Sequence, residues 1–359
     1  MWAKTDDGSI IDGDGNIIFF STRRFVEDIC LGDCCFICGA RPGTKPFNDE
    51  HVIPNWMLRR YELHADTMTL GNGQKFRHDR LKIPCCSDCN SLMGHSIETP
   101  MSALVRAGHT AFNDYAANGG LLNIIVWLGL IFLKTHLKDR SFRWHRDARL
   151  GDVPISDFHT WEELHHLHCL VRCFYNGAHV DREAAGSFLT LPTRRELSPD
   201  RFDFLDLSEG QTLMLRFDDF VVFVVFNDSG GAMNWFHQKA ERISGPVSEL
   251  QAREIAADLA YLNIHLDPRP VFHTETNLLQ KTSHIRATRS PEPRMAPFDR
   301  TVRGALLERT IGYAIDNIRA GNATRDEIEA SIKAGEFTCL FSDDGVFNGP
   351  AFANQDPPR

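Results

Sequence analysis

The sequence has no surplus of positive charge, since its 359 residues give a formal net charge of −9. That balance argues against a protein coated with basic side chains for nucleic acid, although phosphate contact needs only a local basic patch. Long hydrophobic runs are also missing: the longest, Leu121 to Leu133, contains Asn123 and is followed by Lys134. A bilayer span needs about 20 apolar residues. We therefore expect this run to be a buried helix of a soluble protein without membrane contact.

A signal-peptide pattern is also lacking, because no basic stretch followed by an apolar run opens the sequence, and no internal repeat is present. The expected location is therefore the cytoplasm. Disulfide bonds are not expected either, although there are ten cysteines. Seven of them fall into two clusters, 30–38 and 85–89, a distribution typical of metal binding in a reducing compartment.

Two short cysteine pairs stand out within those clusters, Cys35-Phe-Ile-Cys38 and Cys86-Ser-Asp-Cys89. Each pair forms a knuckle that can present both sulfurs forward, and together they supply the four thiolates that tetrahedral Zn²⁺ prefers. Cys34 and Cys85 are adjacent competitors for ligation. Only the 35/38 and 86/89 frames give CxxC, so we expect the two competitors to be packing thiols.

A carboxylate–histidine pair, Glu50-His51, follows the first knuckle, and Asn90 follows the second directly. This arrangement resembles the HNH (His-Me finger, ββα-metal) endonucleases in their four-cysteine zinc form, including phage junction-resolving enzymes. It is also similar to bacterial HNH proteins with the motifs EHxxPxWL and CNxxMxxxxE, matched here from Glu50 to Met57 and from Cys89 to Glu98. The resemblance covers about residues 34 to 100.

The resemblance implies metal-dependent hydrolysis of phosphodiester bonds. His51 would be the general base, since a neutral imidazole can take a proton from water near neutral pH. Glu50 and Asn90 would offer oxygen ligands to one catalytic Mg²⁺ or Mn²⁺ ion. The zinc would be structural, because four thiolates from Cys35, Cys38, Cys86 and Cys89 leave it no open position.

The third HNH position is less well matched. His95 lies five residues after Asn90, which on a helix places it about 140° around the axis and about 7.5 Å along it. That geometry is poor for sharing one metal ion with Asn90. Glu98 would be about 12 Å along the same helix. We therefore expect a two-ligand site, with His95 and Glu98 supporting the ligands or contacting substrate. Arg59 and Arg60 lie on an insertion between the motifs, where they could reach substrate phosphates.

A basic stretch from Lys134 to Arg149 contains Phe142 and Trp144 among its charges. Interleaved basic and aromatic residues suit phosphate neutralisation with base stacking. The same pattern also fits a solvated helix end, and the sequence favours neither interpretation.

The expected fold class is α+β: an N-terminal zinc-stapled ββα-metal finger with an inserted helix and hairpin, followed by a mixed α/β region. Predicted domains are a nuclease domain at 1–118, an α/β accessory domain at 119–290, and a C-terminal helical segment and tail at 291–359. Residues 212–217 and 220–227 are predicted as strands, and 247–262 as an amphipathic helix.

The predicted function is that of an HNH endonuclease acting on nucleic acid, with DNA the expected substrate. A role in phage defence follows by analogy alone. Two alternatives remain open: a non-catalytic zinc-dependent nucleic-acid-binding module, and a nuclease subunit silent until a partner acts. A homo-oligomer or a regulatory protein partner is compatible with each.

Overall fold

The computed structural model describes residues 1–194, 201–318 and 323–349. Helices and strands alternate along the chain, so the expected mixture of α and β structure is confirmed. The chain packs as two compact units, each assembled from separate stretches. The first unit comprises Met1–Arg106, Asn118–Ala184 and Phe272–Ala287; the second comprises Ala107–Ala117, Ala185–Val271 and Thr288–Arg359.

The strands are short. In chain order they are β1 (Ala3–Lys4), β2 (Ile10–Ile11), β3 (Ile17–Phe19), β4 (Phe47–His51), β5 (Thr67–Thr69), β6 (Lys75–Arg77), β7 (Lys82–Cys86), β8 (His179–Val180), β9 (Ser187–Pro192), β10 (Asp203–Leu207), β11 (Thr212–Arg216), β12 (Phe220–Val225), β13 (Leu266–Asp267), β14 (Val271–Asn277), β15 (Thr282–Thr288) and β16 (Arg294–Met295).

The α-helices differ widely in length. They are α1 (Thr22–Arg24), α2 (Asn55–Arg60), α3 (Ser87–Met93), α4 (Thr99–Ala107), α5 (His109–Tyr115), α6 (Leu121–Asp139), α7 (His165–Val171), α8 (Cys173–Asn176), α9 (Gly231–Glu241), α10 (Glu249–Ile264), α11 (Arg300–Ile311) and α12 (Arg325–Lys333). Single π-helical turns cover Phe25–Cys30 and Gly94–Glu98, and a kink at Asn118 and Gly119 lies between α5 and α6.

The first unit is built around α6, whose residues from Ile124 to Leu137 are all buried. The helical stretch His109–Asp139 is long and apolar enough to cross a membrane by length and composition, but 61% of its most apolar window is buried. Helix α6 packs against β7, α7 and the π turn Gly94–Glu98. The apolar run therefore serves as a core helix, as predicted, which is compatible with a soluble protein.

Strands β4 and β7 form a two-stranded antiparallel sheet, with Glu50 opposite Ile83. Their pairing ends at Cys86, and α3 begins at the next residue, Ser87. Asn90 lies inside the helix because the chain turns as soon as the strand pairing stops.

Helical backbone then continues through the π turn and Pro100 into α4. A 3₁₀ turn, His78–Arg80, separates β6 from β7.

The second unit contains an antiparallel sheet in the order β10-β11-β12-β9, with α10 packed on it. Every residue of β12 is buried, as its unbroken apolar sequence predicts. Ser248 and Gln251 form a capping box that starts α10. The predicted strands and helix in this region are confirmed, with ends shifted by two residues or fewer.

The side chain of Asp228 connects the loop before α9 to strand β9 through hydrogen bonds. Its buried carboxylate accepts hydrogen bonds from the amides of Ser187 (2.9 Å), Gly230 (3.1 Å) and Ala232 (2.8 Å), and from the Ser187 hydroxyl. These bonds join the start of β9 to the loop that leads into α9.

We expect Asp228→Ala to lower the free energy of unfolding by about 3 kcal/mol, because it orphans several buried donors. Urea unfolding followed by circular dichroism measures the loss. The matched control is Glu241→Ala on the exposed face of α9, which we expect to change stability by less than about 0.5 kcal/mol. Equal midpoints for the two variants would contradict the role given to Asp228.

Candidate functional site

Four cysteine side chains from two distant stretches meet in the first unit: Cys35, Cys38, Cys86 and Cys89. Their sulfur atoms all lie within 4.8 Å of one another, in a buried cluster that could hold a metal ion. The sulfurs of Cys38 and Cys86 are 3.6 Å apart. Tetrahedral zinc, with Zn–S bonds of about 2.3 Å, sets its sulfurs about 3.8 Å apart. The donor set and the spacing therefore fit zinc.

A tight turn forms the first knuckle. The amide of Gly39 donates to the carbonyl of Cys35 at 2.8 Å, and the amide of Cys35 donates to the carbonyl of Ala40 at 2.9 Å. Gly39 has a φ of +76°, and a Cβ there would lie 2.6 Å from the ring of Phe20. Glycine is therefore required at this position by both backbone conformation and space.

Helix α7 and the next residue, Arg172, hydrogen-bond to the backbone of the first knuckle. Nε2 of His168 donates to the carbonyl of Phe36 at 2.8 Å. The buried guanidinium of Arg172 donates to the carbonyl of Ile37 and to two carbonyls of β3, at 3.0 and 2.7 Å. His168 thus shapes the cluster through the backbone without contributing a ligand.

The charge of Arg172 also matters to the cluster. Burial lowers the pKa of Arg172 to about 10, and the sulfurs of Cys38 and Cys89 are among the groups that oppose this fall. A zinc ion with four thiolates carries net negative charge, so a buried cation beside it reduces the cost of holding that charge away from water.

Two further cysteines lie close by. The sulfur of Cys85 is 3.8 Å from that of Cys35 but falls outside the mutually close group of four. Hydrogen bonding to Cys35, with burial, raises the pKa of Cys85, and burial raises that of Cys34. Raised pKa values keep these side chains as thiols, which suits a packing role.

The ammonium group of Lys134, on α6, is buried beside the end of β4. Its Nζ lies 2.5 Å from Oε1 of Glu50 and donates to the carbonyl of His51 at 2.8 Å. Glu98, in the π turn after α3, places Oε1 3.8 Å from the same nitrogen. One cation therefore links β4, α6 and the π turn, and it fixes the Glu50 carboxylate.

Two carboxylates share this single ammonium group. Burial alone would lower the pKa of Lys134, but Glu50 and Glu98 outweigh burial and raise it. Burial raises the pKa of Glu98 against the opposing effect of Lys134, and Glu50 adds to the rise. With all three groups ionised the cluster has one negative charge in excess, which favours an additional cation nearby.

His51 occupies the last position of β4, opposite Lys82. Burial lowers the pKa of His51, with the positive charge of Lys82 adding to the fall and Glu50 opposing it. A lowered pKa keeps the imidazole neutral near neutral pH, so one ring nitrogen can accept a proton.

Asn90 contacts β4 through a side-chain hydrogen bond. Its Nδ2 donates to Oδ1 of Asn48 at 2.8 Å. Asn48 and Glu50 lie two residues apart on β4 and therefore on the same face of the strand. This bond uses Nδ2 of Asn90 and leaves its side-chain carbonyl oxygen out of the contact with Asn48.

Two of the remaining predicted residues, His95 and Glu98, line a groove whose lining residues do not include Glu50, His51 or Asn90. An open groove of about 360 Å³ is lined by Trp56, Ser91, Gly94, His95, Glu98, Thr99, Ser102 and Arg106. His95 and Glu98 therefore share one groove, and Glu98 also reaches Lys134. Arg59 and Arg60 end α2; Arg59 is exposed, and Nε of Arg60 donates to the hydroxyl of Tyr61 at 3.2 Å.

The basic stretch 134–149 is not a continuous cationic surface. Lys134 is buried, which the sequence did not reveal, and several of the following arginines pair with carboxylates. The pairs are Arg140 with Asp33, Arg143 with Asp152 and Arg149 with Asp147. Trp144 packs against Phe158 at 4.3 Å between ring centroids.

Comparison with known proteins adds no relative: no family model matches the chain, and no curated protein or solved structure shows significant similarity to it.

We expect Cys86→Ser to lower the zinc content by one ion per chain and to destabilise the first unit, because metal binding energy in such a site is folding energy. Zinc content per chain and thermal unfolding measure both effects. The matched control is Cys34→Ser, next to a cluster cysteine but partly exposed, which should keep its zinc. Normal zinc content in the Cys86 variant would rule out this ligand set.

Proposed function

We propose that the chain is an HNH endonuclease that hydrolyses phosphodiester bonds in DNA with a divalent metal ion. The local topology carries the proposal: β4 pairs with β7, α3 follows at once, and four cysteines cluster across them. Glu50 and His51 end β4, and Asn90 reaches the same strand through Asn48. This arrangement supports a ββα-metal finger.

His51 would take the proton from the attacking water, for which its lowered pKa is suitable. The Glu50 carboxylate and the Asn90 carbonyl oxygen would hold Mg²⁺ or Mn²⁺, which supplies positive charge at the scissile phosphate and the leaving 3′ oxygen. The expected products carry 5′-phosphate and 3′-hydroxyl ends.

Lys134 would act as a positioning residue. It binds Oε1 of Glu50 and the carbonyl of His51, and so orients both members of the pair. An ionised carboxylate has two oxygens and about four acceptor sites, so a bond from Lys134 to Oε1 is compatible with a metal ion on the same group. His95 and Arg106, which line the groove, are suited to contact substrate phosphates.

The zinc ion would serve as a scaffold. With all four positions filled by sulfur, it would have none left for water. Its role would be to tie the first knuckle, which precedes β4, to the junction of β7 and α3. Because Asn90 follows Cys89 directly, zinc binding would fix the helix turn that presents Asn90.

A partner-activated nuclease is the second candidate, favoured by the charge distribution. The net charge is −9, and the arginines at 140, 143 and 149 are paired with carboxylates. Weak affinity of the isolated chain for DNA would follow. Cleavage that increases on adding cell extract or a small signal would identify this form of the activity.

We expect His51→Ala to reduce plasmid cleavage in Mg²⁺ or Mn²⁺ by about 10²- to 10⁴-fold, the usual effect of losing a general base. Zinc content should stay unchanged, which separates the chemistry from the scaffold. The matched control is His237→Ala, an exposed histidine of α9, which should cleave normally.

Equal cleavage by wild type and the His51 variant would remove the assignment of the base. Retained DNA binding and biological activity in Glu50→Ala and His51→Ala, with loss in Cys86→Ser, would instead favour the non-catalytic binding module.

We expect Lys134→Met to reduce cleavage at least tenfold and to destabilise the first unit by about 3 to 5 kcal/mol, since two carboxylates lose their buried counter-ion. Cleavage assays and urea unfolding measure these effects. Glu98→Gln is the comparison variant: it keeps the pair between Lys134 and Glu50 and should retain most of the activity. Wild-type cleavage by Lys134→Met would refute the positioning role.

A further inference from the structure

A second group of metal-binding residue types lies on the three-stranded sheet of the first unit, ordered β14-β15-β8. Strands β15 and β8 pair in parallel, which sets His284 opposite His179. The pairing is extended by Asp181, whose amide donates to the carbonyl of Ile285 at 3.0 Å. Alternate residues of a strand share a face, so His179, Asp181 and His284 project from the same side.

Burial confirms which side that is. Val180 and Ile285 are buried on the inner face, while His179 is exposed and His284 and Asp181 are partly exposed. The two imidazoles and the carboxylate therefore converge on the solvent side of the sheet, where an ion can reach them.

The spacing of the three groups suits a small transition-metal ion. One ligand atom from each of them lies within 4.8 Å of the other two. Nε2 of His179 is 3.6 Å from Oδ1 of Asp181, and the imidazole centroids of His179 and His284 are 5.1 Å apart. Tetrahedral zinc with bonds of about 2.0 to 2.1 Å sets its ligands about 3.3 Å apart. Small side-chain rotations would close the remaining gap.

Neighbouring charges hold the aspartate in place. Nε of Arg286 lies 3.6 Å from Oδ2 of Asp181 and 3.2 Å from Oε2 of Glu275. The oxygen of Asp181 that faces His179 is the other one, Oδ1. Side chains that contact a metal-binding carboxylate without touching the metal commonly orient it, and Arg286 is placed to do so here. Glu275 offsets the positive charge that Arg286 brings near the site.

We propose that His179, Asp181 and His284 bind one transition-metal dication of the zinc class, with a coordination position left open on the solvent side. The site shares no residue with the four-cysteine cluster or with the Glu50–Asn90 region. Two imidazoles and one carboxylate favour Zn²⁺, Ni²⁺ or Co²⁺ over Mg²⁺, which prefers oxygen ligands alone.

Occupancy would fasten two distant parts of the chain. His284 belongs to the hairpin formed by β14 and β15, whereas His179 and Asp181 lie about a hundred residues earlier, as their numbers show. Strand β8 is only two residues long. A metal ion that bridges His179 and His284 would therefore add a strong cross-link where few backbone hydrogen bonds join the strands.

The test is calorimetric titration of the full-length protein with Zn²⁺ in excess Mg²⁺, after a brief chelator wash removes loosely held metal. Either His284→Ala or Asp181→Ala should weaken the affinity for one Zn²⁺ ion by about 100-fold or more. Wild type should therefore bind one more Zn²⁺ equivalent than either variant in the titration. Excess Mg²⁺ should not compete. Bound metal should also slow hydrogen exchange in β15.

The matched control is His273→Ala, an exposed histidine on β14 that pairs with Glu275 and lies outside the group of three. It should bind the extra Zn²⁺ as wild type does. His179→Gln, at the exposed end of β8, provides a second variant should His284→Ala fold poorly. Absence of saturable binding to wild type, or unchanged binding in both ligand variants, would overturn the proposal.

Discussion

The buried ammonium group of Lys134 is the interaction on which the geometry of the candidate catalytic site depends. A lysine without water around it is stable as a cation only while carboxylates surround it, and here Glu50 and Glu98 do so. Because the same nitrogen holds the carbonyl of His51, the strand end cannot shift without exposing an unpaired charge. Arg172 plays the corresponding part behind the cysteine cluster. Lys134 thus fixes the end of β4, and Arg172 fixes the backbone of the first knuckle.

Local patterns in the sequence predicted the parts of this structure that local physics determines. The CxxC spacing indicated the four cysteines whose sulfurs lie close together in the structure, because two intervening residues allow a tight turn to present both sulfurs on one side. The helix predicted at α10 is confirmed, but it is buried on nearly all sides and is not amphipathic as predicted. The unbroken apolar sequence of β12 predicted a buried strand, and every residue of that strand is buried. The apolar character of α6 indicated a core helix for the same reason. In each case the predictive pattern is contained in a short stretch of sequence, even where the partners that it meets lie far away.

Features that depend on distant partners could not be predicted in this way. Lys134 looked like the first charge of a basic stretch, because the carboxylates that bury it come from other elements. The start of α3 at Ser87 is determined by where β4 stops pairing, not by a local capping signal. The approach of His284 to His179 follows from a parallel strand pair whose members lie far apart in sequence. Nor does hydrophobic periodicity indicate that each unit is assembled from separate stretches.

The hairpin of β14 and β15 has a consequence for dissecting the molecule. It belongs to the first unit, with Phe272 stacked on His166 at 3.8 Å between ring centroids, yet the stretches on both sides of it belong to the second. A fragment that stops at Ala184 would lose two of the three strands in this sheet and leave the edge of β8 uncovered. Open edges invite aggregation. Truncation or a single protease cut cannot therefore release the first unit whole; a soluble version would need the hairpin grafted back after Ala184.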